Sequence, residues 1–180
     1  MQVMLLRGPA VTKVLDTYGN TLRKLRKYVP DLLLTGGAVR DVYFSRLVKD
    51  LDFMTCDEQA PRVVAEHFGE AVRSCLEAPV NEYEGDSNTL IAAYETESKS
   101  VNVLRVSHAL SHLAQFPDSI SQVWTDGEDV YASKAFNDTV ASRVVTCSDR
   151  MTCERATRIK AKYPDFVFQR TDAFGVSEVL

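Results

Sequence analysis

The spacing of apolar residues changes several times along this chain, and each change marks an element. Val11, Val14, Leu15, Tyr18, Leu22, Leu25 and Val29 fall at mostly three- and four-residue steps, which predicts an amphipathic helix over residues 11–29. Gly19-Asn20 weakens its middle, and Pro30 follows its end. Residues 32–35 read as a short apolar strand, 38–46 as a short helix and 50–55 as a second strand. A helix is predicted over 58–68, with Pro61 tolerated in its first turn, then a short strand over 71–75. Residues 78–87 are polar and acidic (Glu82, Glu84, Asp86), as in an exposed loop or hairpin connection. Residues 89–94 and 100–106 alternate like an antiparallel pair. Ser107 is placed to cap a helix over 108–116. Residues 120–124 and 129–132 form a hairpin turning at Asp126-Gly127. Helices follow around 133–141 and 150–163, the second stopped by Pro164, and Phe166-Val167-Phe168 ends the pattern as a strand. The expected class is α+β: a mixed sheet with helices on one side.

Length and composition narrow this picture only a little. The 180 residues suit one domain, 1–180, with about 146–180 as a helical C-terminal extension. The chain is 45% hydrophobic and 26% charged, which is ordinary for a globular protein with a real core. No window approaches the roughly eighteen apolar residues of a membrane span, and residues 1–7 lack a basic leader. The expected compartment is the cytoplasm, with no membrane partner. Cys56, Cys75, Cys147 and Cys153 form no Cys-x-x-Cys pair, so free thiols are expected. His108 and His112 have metal-pair spacing, yet no glutamate or cysteine nearby completes a zinc site. The net charge of −4 argues against a large nucleic-acid surface. The local basic run Arg23-Lys24-Leu25-Arg26-Lys27 reads as a solvated helix face.

One stretch carries chemistry. Leu32-Leu33-Leu34-Thr35 leads into Gly36-Gly37-Ala38-Val39-Arg40-Asp41, and Lys49-Asp50-Leu51-Asp52-Phe53 follows closely. Side chains alternate along a strand, so Asp50 and Asp52 point the same way. Two adjacent carboxylates repel each other and gain most from a shared cation. A glycine pair opening a helix offers backbone N–H groups to a phosphate. Phosphate cradle and metal ligands in one compact unit are the equipment for metal-assisted phosphoryl or nucleotidyl transfer. There is no Gly-x4-Gly-Lys-(Ser/Thr) loop, Gly-x-Gly-x-x-Gly, His-Glu-x-x-His or Gly-x-Ser-x-Gly.

With Gly36, Gly37, Val39, Arg40, Asp41, Lys49, Asp50, Leu51, Asp52 and Phe53 in this order, the chain resembles the DNA polymerase β-like nucleotidyltransferase superfamily. Within it the likeness is to the head domain of bacterial-type CCA-adding enzymes and poly(A) polymerases, closest over residues 31–55 and looser to about Phe136. The resemblance implies a nucleotidyltransferase-like mixed twisted sheet packed against helices. It implies an Mg²⁺-dependent transfer of NMP from an NTP to a hydroxyl acceptor, with two ions. The acceptor class stays open: an RNA end, a protein side chain or a small molecule. Asp50 and Asp52 are the implied catalytic metal ligands. Gly36, Gly37, Arg40, Lys49 and Arg105 are the implied nucleotide contacts, while Asp41 reads as structural.

Two departures qualify the likeness. Many superfamily members carry a third carboxylate on a later strand, where this chain has Val101-Asn102-Val103. Asn102 can coordinate through its amide oxygen but carries no charge. Class II CCA-adding enzymes work with two carboxylates. Asp118, in Phe116-Pro117-Asp118, is the other candidate for a third ligand, against an ordinary turn role. Second, the family's Arg-Arg-Asp-Phe-Thr-x-Asn segment has only Phe136 as a convincing counterpart in residues 133–138, and no neck, body and tail domains follow. CCA addition is therefore not expected. The chain looks like a stand-alone head domain of the kind phages and bacteria encode, acting in the host cytoplasm if phage-borne. The competing expectation is a catalytically silent NTP- or protein-binding module of the same fold, such as a phage modulator of a host enzyme.

Overall fold

A computed structural model describes residues 1–75, 89–171 and 177–180. The described elements run β1 (Val3–Leu5), α1 (Pro9–Leu25), β2 (Leu33–Thr35), α2 (Gly36–Tyr43), β3 (Leu51–Thr55), α3 (Ala60–Phe68), β4 (Val72–Ser74), β5 (Leu90–Thr96) and β6 (Val101–Val106). They continue with α4 (Ala109–Leu113), a 3₁₀ turn at Ser119–Ser121, β7 (Val123–Thr125), β8 (Val130–Ser133), α5 (Lys134–Ser142), β9 (Val144–Cys147), α6 (Cys153–Lys162), β10 (Val167–Thr171) and β11 (Ser177–Val179). The acidic stretch expected to be a loop, 78–87, lies outside the described residues.

Eight strands form one mixed sheet in the order β1-β8-β7-β2-β3-β6-β5-β4. Within it β3 and β6 are parallel, and the other pairs are antiparallel. Strand alternation divides the core. Leu34, Phe53, Val101 and Val103 pack with Val11, Val14 and Leu22 of α1 and Val64 of α3. Met54, Ala93, Leu104 and Val106 point the other way and pack with Leu113 of α4. Helices therefore touch both faces, with α1 and α3 on one and the short α4 on the other.

The C-terminal segment differs from the helical extension expected of it. β9, β10 and β11 form a second sheet, with β9 and β10 parallel and joined through α6. Val145, Phe168, Met151 and Ile159 make a separate core there, and Ile120 of the 3₁₀ turn enters it. No disulfide is needed, and all four cysteines are free.

Gly19, which weakens α1 on propensity grounds, is required by packing. A Cβ on it would stand 3.0 Å from the carbonyl oxygen of Gly127. Gly127 turns the β7–β8 hairpin at φ 93°, and a Cβ there would meet Leu22 Cβ at 2.7 Å. Helix and hairpin approach through two bare backbones. The basic run at the end of α1 helps fix the same region: Arg23 Nη1 donates to the Gly127 carbonyl and Arg26 Nη1 to the Leu32 carbonyl.

Candidate active site

β2 ends at Thr35, and Thr35 sits opposite Asp52 in the antiparallel β2–β3 ladder. The glycine pair thus begins one residue beyond the carboxylate's cross-strand partner. α2 starts on Gly36 itself, two residues earlier than the periodicity predicts. The first N–H groups of a helix have no intrahelical acceptor, so poor helix formers cost little there. No side chain caps them: Thr35 stands at the N-cap without a side-chain hydrogen bond, and the first turn holds no acid. Neither the N-cap residue nor the first turn of α2 offers a side chain to its free donors and positive dipole end.

The two glycines have different reasons to be glycine. Gly36 has φ 59°, and a Cβ on it would press 3.3 Å from the Phe116 ring. Gly37 has no such angle, and an added Cβ would meet only Arg40 Nη2, at 3.6 Å. The protein itself leaves room for a side chain at Gly37.

Asp52 is half-buried in β3, next to Thr35 on one side and Asn102 on the other. Asn102 Nδ2 donates to Asp52 Oδ1 at 2.9 Å. Burial and the neighbouring charge of Asp50 push the Asp52 carboxyl up to about 6, while the Asn102 hydrogen bond and the cations Arg155 and Arg40 oppose the rise. Asp50 lies one residue before β3, half-buried, 3.5 Å from the exposed Lys49 Nζ. The structure thus brings Gly36, Gly37, Asp50, Asp52 and Asn102 into one region, with Lys49 at its rim.

Arg40 is buried, 7% exposed, and held from several sides. Nε donates to Asp41 Oδ1 at 2.8 Å and to the Tyr163 hydroxyl at 3.1 Å, and Nη1 donates to Ser121 Oγ at 2.9 Å. Burial works against its charge, but Asp41 and the other acidic partners outweigh it and hold the guanidinium above its usual range. Asp41 is 2% exposed and fully engaged by Arg40, Tyr163 and Lys162, in keeping with a structural role.

Two sequence candidates remain, Arg105 and Asp118. Arg105 pairs with Thr55 on β6, one face away from Asn102 by strand alternation, so the structure does not bring it to the carboxylates. Asp118 is 1% exposed and buried rather than at the mouth of a site. Its Oδ2 accepts from Arg155 Nε at 2.9 Å, and its Oδ1 has no hydrogen-bond partner. The histidine pair is separated by role: His108 Nδ1 accepts the Ser111 N–H as the cap of α4, where Ser107 was expected, and buried His112 bonds Thr89 Oγ1 at 2.8 Å.

Sequence reasoning missed Arg155, Ser121 and Tyr163, which surround Arg40 and Asp118 from the C-terminal half. α6 is amphipathic and polar, and nothing in its sequence marks which cation turns inward. A cavity of about 280 Å³ is lined by Phe116, Ser119, Gln122 and Cys147 among others, and by neither Asp50 nor Asp52.

Among the described residues no group of three His, Cys, Asp or Glu side chains could hold a metal ion. A pair of carboxylates is a hard-oxygen donor set. It fits Mg²⁺, which is commonly held by one or two carboxylates with phosphate oxygens and water, and it does not fit a zinc cage.

No family model matches this chain, and no curated protein does. Solved structures match in fold. A CCA-adding enzyme in an apo form is 12% identical with a TM-score of 0.60, over 93% of this chain and 45% of that one. A CCA-adding enzyme in complex with CTP is 13% identical with a TM-score of 0.58, over 93% and 44%. A tRNA-processing enzyme in an apo form is 15% identical with a TM-score of 0.53, over 80% and 38%. This chain spans less than half the length of each. Identity this low carries the fold alone. The chain has the nucleotidyltransferase-like α+β fold: a mixed twisted sheet packed against helices, with a glycine turn and a carboxylate strand side by side at its centre.

Proposed function

We propose that this protein is a nucleotidyltransferase moving NMP from an NTP to a hydroxyl acceptor. The observation that carries this reading is the pairing of Thr35 with Asp52, which sets the Gly36-Gly37 turn directly beside the carboxylate strand. A triphosphate seated on the N-terminus of α2 would meet Asp50 and Asp52 without any rearrangement of the sheet. The acceptor oxygen bonds to the α-phosphorus, the bond from that phosphorus to the bridging oxygen breaks, pyrophosphate leaves, and the hydroxyl proton passes to solvent.

Asp50 and Asp52 would hold Mg²⁺, which when bound lowers the pKa of the attacking hydroxyl and neutralises triphosphate charge. The backbone amides of Gly36 and Gly37 would receive β- and γ-phosphate oxygens. Arg40, whose Nη2 lies near Gly37, and the exposed Lys49 beside Asp50 would supply positive charge. The acceptor is an RNA end, a protein side chain or a small molecule. The net charge of −4 favours a compact acceptor contact over a long nucleic-acid track. The proposed compartment is the cytoplasm. Separately, no described helix is long and apolar enough to cross a membrane.

A second reading is a silent NTP-binding module, favoured by one observation. Asn102 stands in the strand position beside Asp52 and contributes an amide instead of a charge. Incubation with each α-labelled NTP, Mg²⁺ and cell extract separates the two. Transfer of label to RNA, protein or a small molecule is expected. NTP-dependent thermal stabilisation with no label transfer in any fraction would support the silent module instead.

A further inference from the structure

The ion network behind the glycine turn joins two distant stretches of chain. Arg40 and Asp41 lie on α2; Lys162 ends α6 and Tyr163 is its C-terminal cap. The Tyr163 hydroxyl accepts from Arg40 Nε at 3.1 Å and donates to Asp41 Oδ1 at 2.6 Å. Lys162 Nζ donates to Asp41 Oδ2. The Arg40 guanidinium carbon lies 5.1 Å from the Tyr163 ring centroid, a cation–π distance. Tyr163 is 0% exposed. A guanidinium is planar, so fixing Nε and Nη1 fixes the third nitrogen as well. That nitrogen, Nη2, is the atom 3.6 Å from where a Gly37 Cβ would stand.

We propose that Tyr163 is a positioning residue for the nucleotide site: its hydroxyl and ring hold the Arg40 guanidinium so that Nη2 faces the phosphate turn at Gly37. The inference rests on the nucleotide-binding reading above. An unheld arginine loses rotamer freedom when it binds a phosphate; this one has lost it on folding, so binding is stronger. The docking of α6 and its cap against α2 thereby becomes a condition for tight NTP binding, although Tyr163 touches no nucleotide.

A purely packing role is the competing account, since Tyr163 also meets Phe44 and Phe166 edge-on at 5.6 and 5.8 Å. Tyr163→Phe keeps that packing and removes the hydroxyl. The test is calorimetric titration of the full chain with Mg²⁺ and a non-hydrolysable NTP, beside ¹⁵N NMR of arginine Nε–H groups. The Arg40 signal is assigned by its loss in Arg40→Lys. Tyr163→Phe should bind NTP about tenfold more weakly, with the Arg40 Nε–H signal shifted and faster to exchange. Arg46→Met removes the other cation over the same ring, at 5.8 Å, and should leave affinity unchanged. If Tyr163→Phe does not fold, Lys162→Met loosens Asp41 from its partly exposed side and reads the same two quantities. Unchanged affinity in the folded variant, against a wild type that binds, overturns the proposal alone. A wild type that binds none of the four NTPs overturns the functional reading and this proposal with it.

Discussion

Asn102 Nδ2 donates a hydrogen bond to Asp52 Oδ1 at 2.9 Å, between residues that face each other across the parallel β3–β6 ladder. A carboxylate offers only acceptors, so the amide must turn its NH₂ toward Asp52. One oxygen of Asp52 is thereby held. A third carboxylate at position 102 would repel Asp52 in the absence of cations; an amide ties it down.

Replacing Asn102 therefore separates two roles. Asn102→Ala removes the tether, and metal affinity and transfer should both fall about 10- to 100-fold, the usual cost of losing an outer partner of a ligand. Asn102→Asp should melt lower than wild type without metal and gain more from Mg²⁺ than wild type does. Differential scanning fluorimetry with and without Mg²⁺ reads this directly. Equal metal gains in wild type and Asn102→Asp would place residue 102 away from the metal.

Gly36 and Gly37 should respond differently to the same change. Gly36→Ala forces φ 59° on a residue with a Cβ and crowds Phe116, so it should cost about 1–2 kcal/mol of stability. Gly37→Ala finds ordinary contact with Arg40 Nη2 and should melt near wild type. Its methyl group would fill the space above the turn, so NTP affinity should drop several-fold, and further in Gly37→Val. Chemical denaturation and calorimetric titration of the same samples check both halves. Full affinity in Gly37→Val would remove Gly37 from the phosphate cradle.

The central unit was legible because its signals are local. The glycine pair, the strand before it and the alternation of Asp50 and Asp52 all lie within a short run of sequence, and strand geometry turns them into one site. β1 and β9 were not legible from their own residues: β1 is defined by pairing with β8 far along the chain, and β9 by pairing with β10 beyond α6. α2 begins two residues before the predicted start, at glycines that cost little where the first N–H groups have no intrahelical acceptor. The setting of Arg40 was hidden for a deeper reason. Tyr163 and Ser121 reach it from 123 and 81 residues away, and no local pattern reports a contact of that range. The likeness to known enzymes gave Arg105 a site role that strand alternation places on the other face of the sheet.

Asp118 tests a structural role against a ligand role. Its buried carboxylate takes a charged hydrogen bond from Arg155, a cation that also acts on Asp52. Asp118→Asn should cost about 2 kcal/mol, or roughly 4–8 °C in melting temperature, by weakening that pair. Metal affinity should stay at the wild-type level, and Asn102→Asp should bring no rescue. A fall in Mn²⁺ affinity matching that of Asp52→Asn would make Asp118 a third ligand after all.

Asp50 and Asp52 carry the strongest expectation. Neither side chain belongs to the apolar core, and Asp52 is half-buried beside a second carboxylate that raises its proton affinity. Burying like charges together is unfavourable for the fold and useful only once a cation is shared. Asp52→Asn keeps the shape and can still pair with the Asn102 amide. It should therefore lose transfer by about 10²-fold or more, while the metal-free protein melts at or above the wild-type temperature. Asp50→Asn should behave alike, with the smaller stability gain because Asp50 already sits 3.5 Å from Lys49 Nζ. Label-transfer assays and metal-free melts on the two variants decide the matter. Near wild-type transfer in both would show that the carboxylate pair is not the catalytic centre, and a fall in metal-free stability of Asp52→Asn would show that its charge is part of what holds the sheet together.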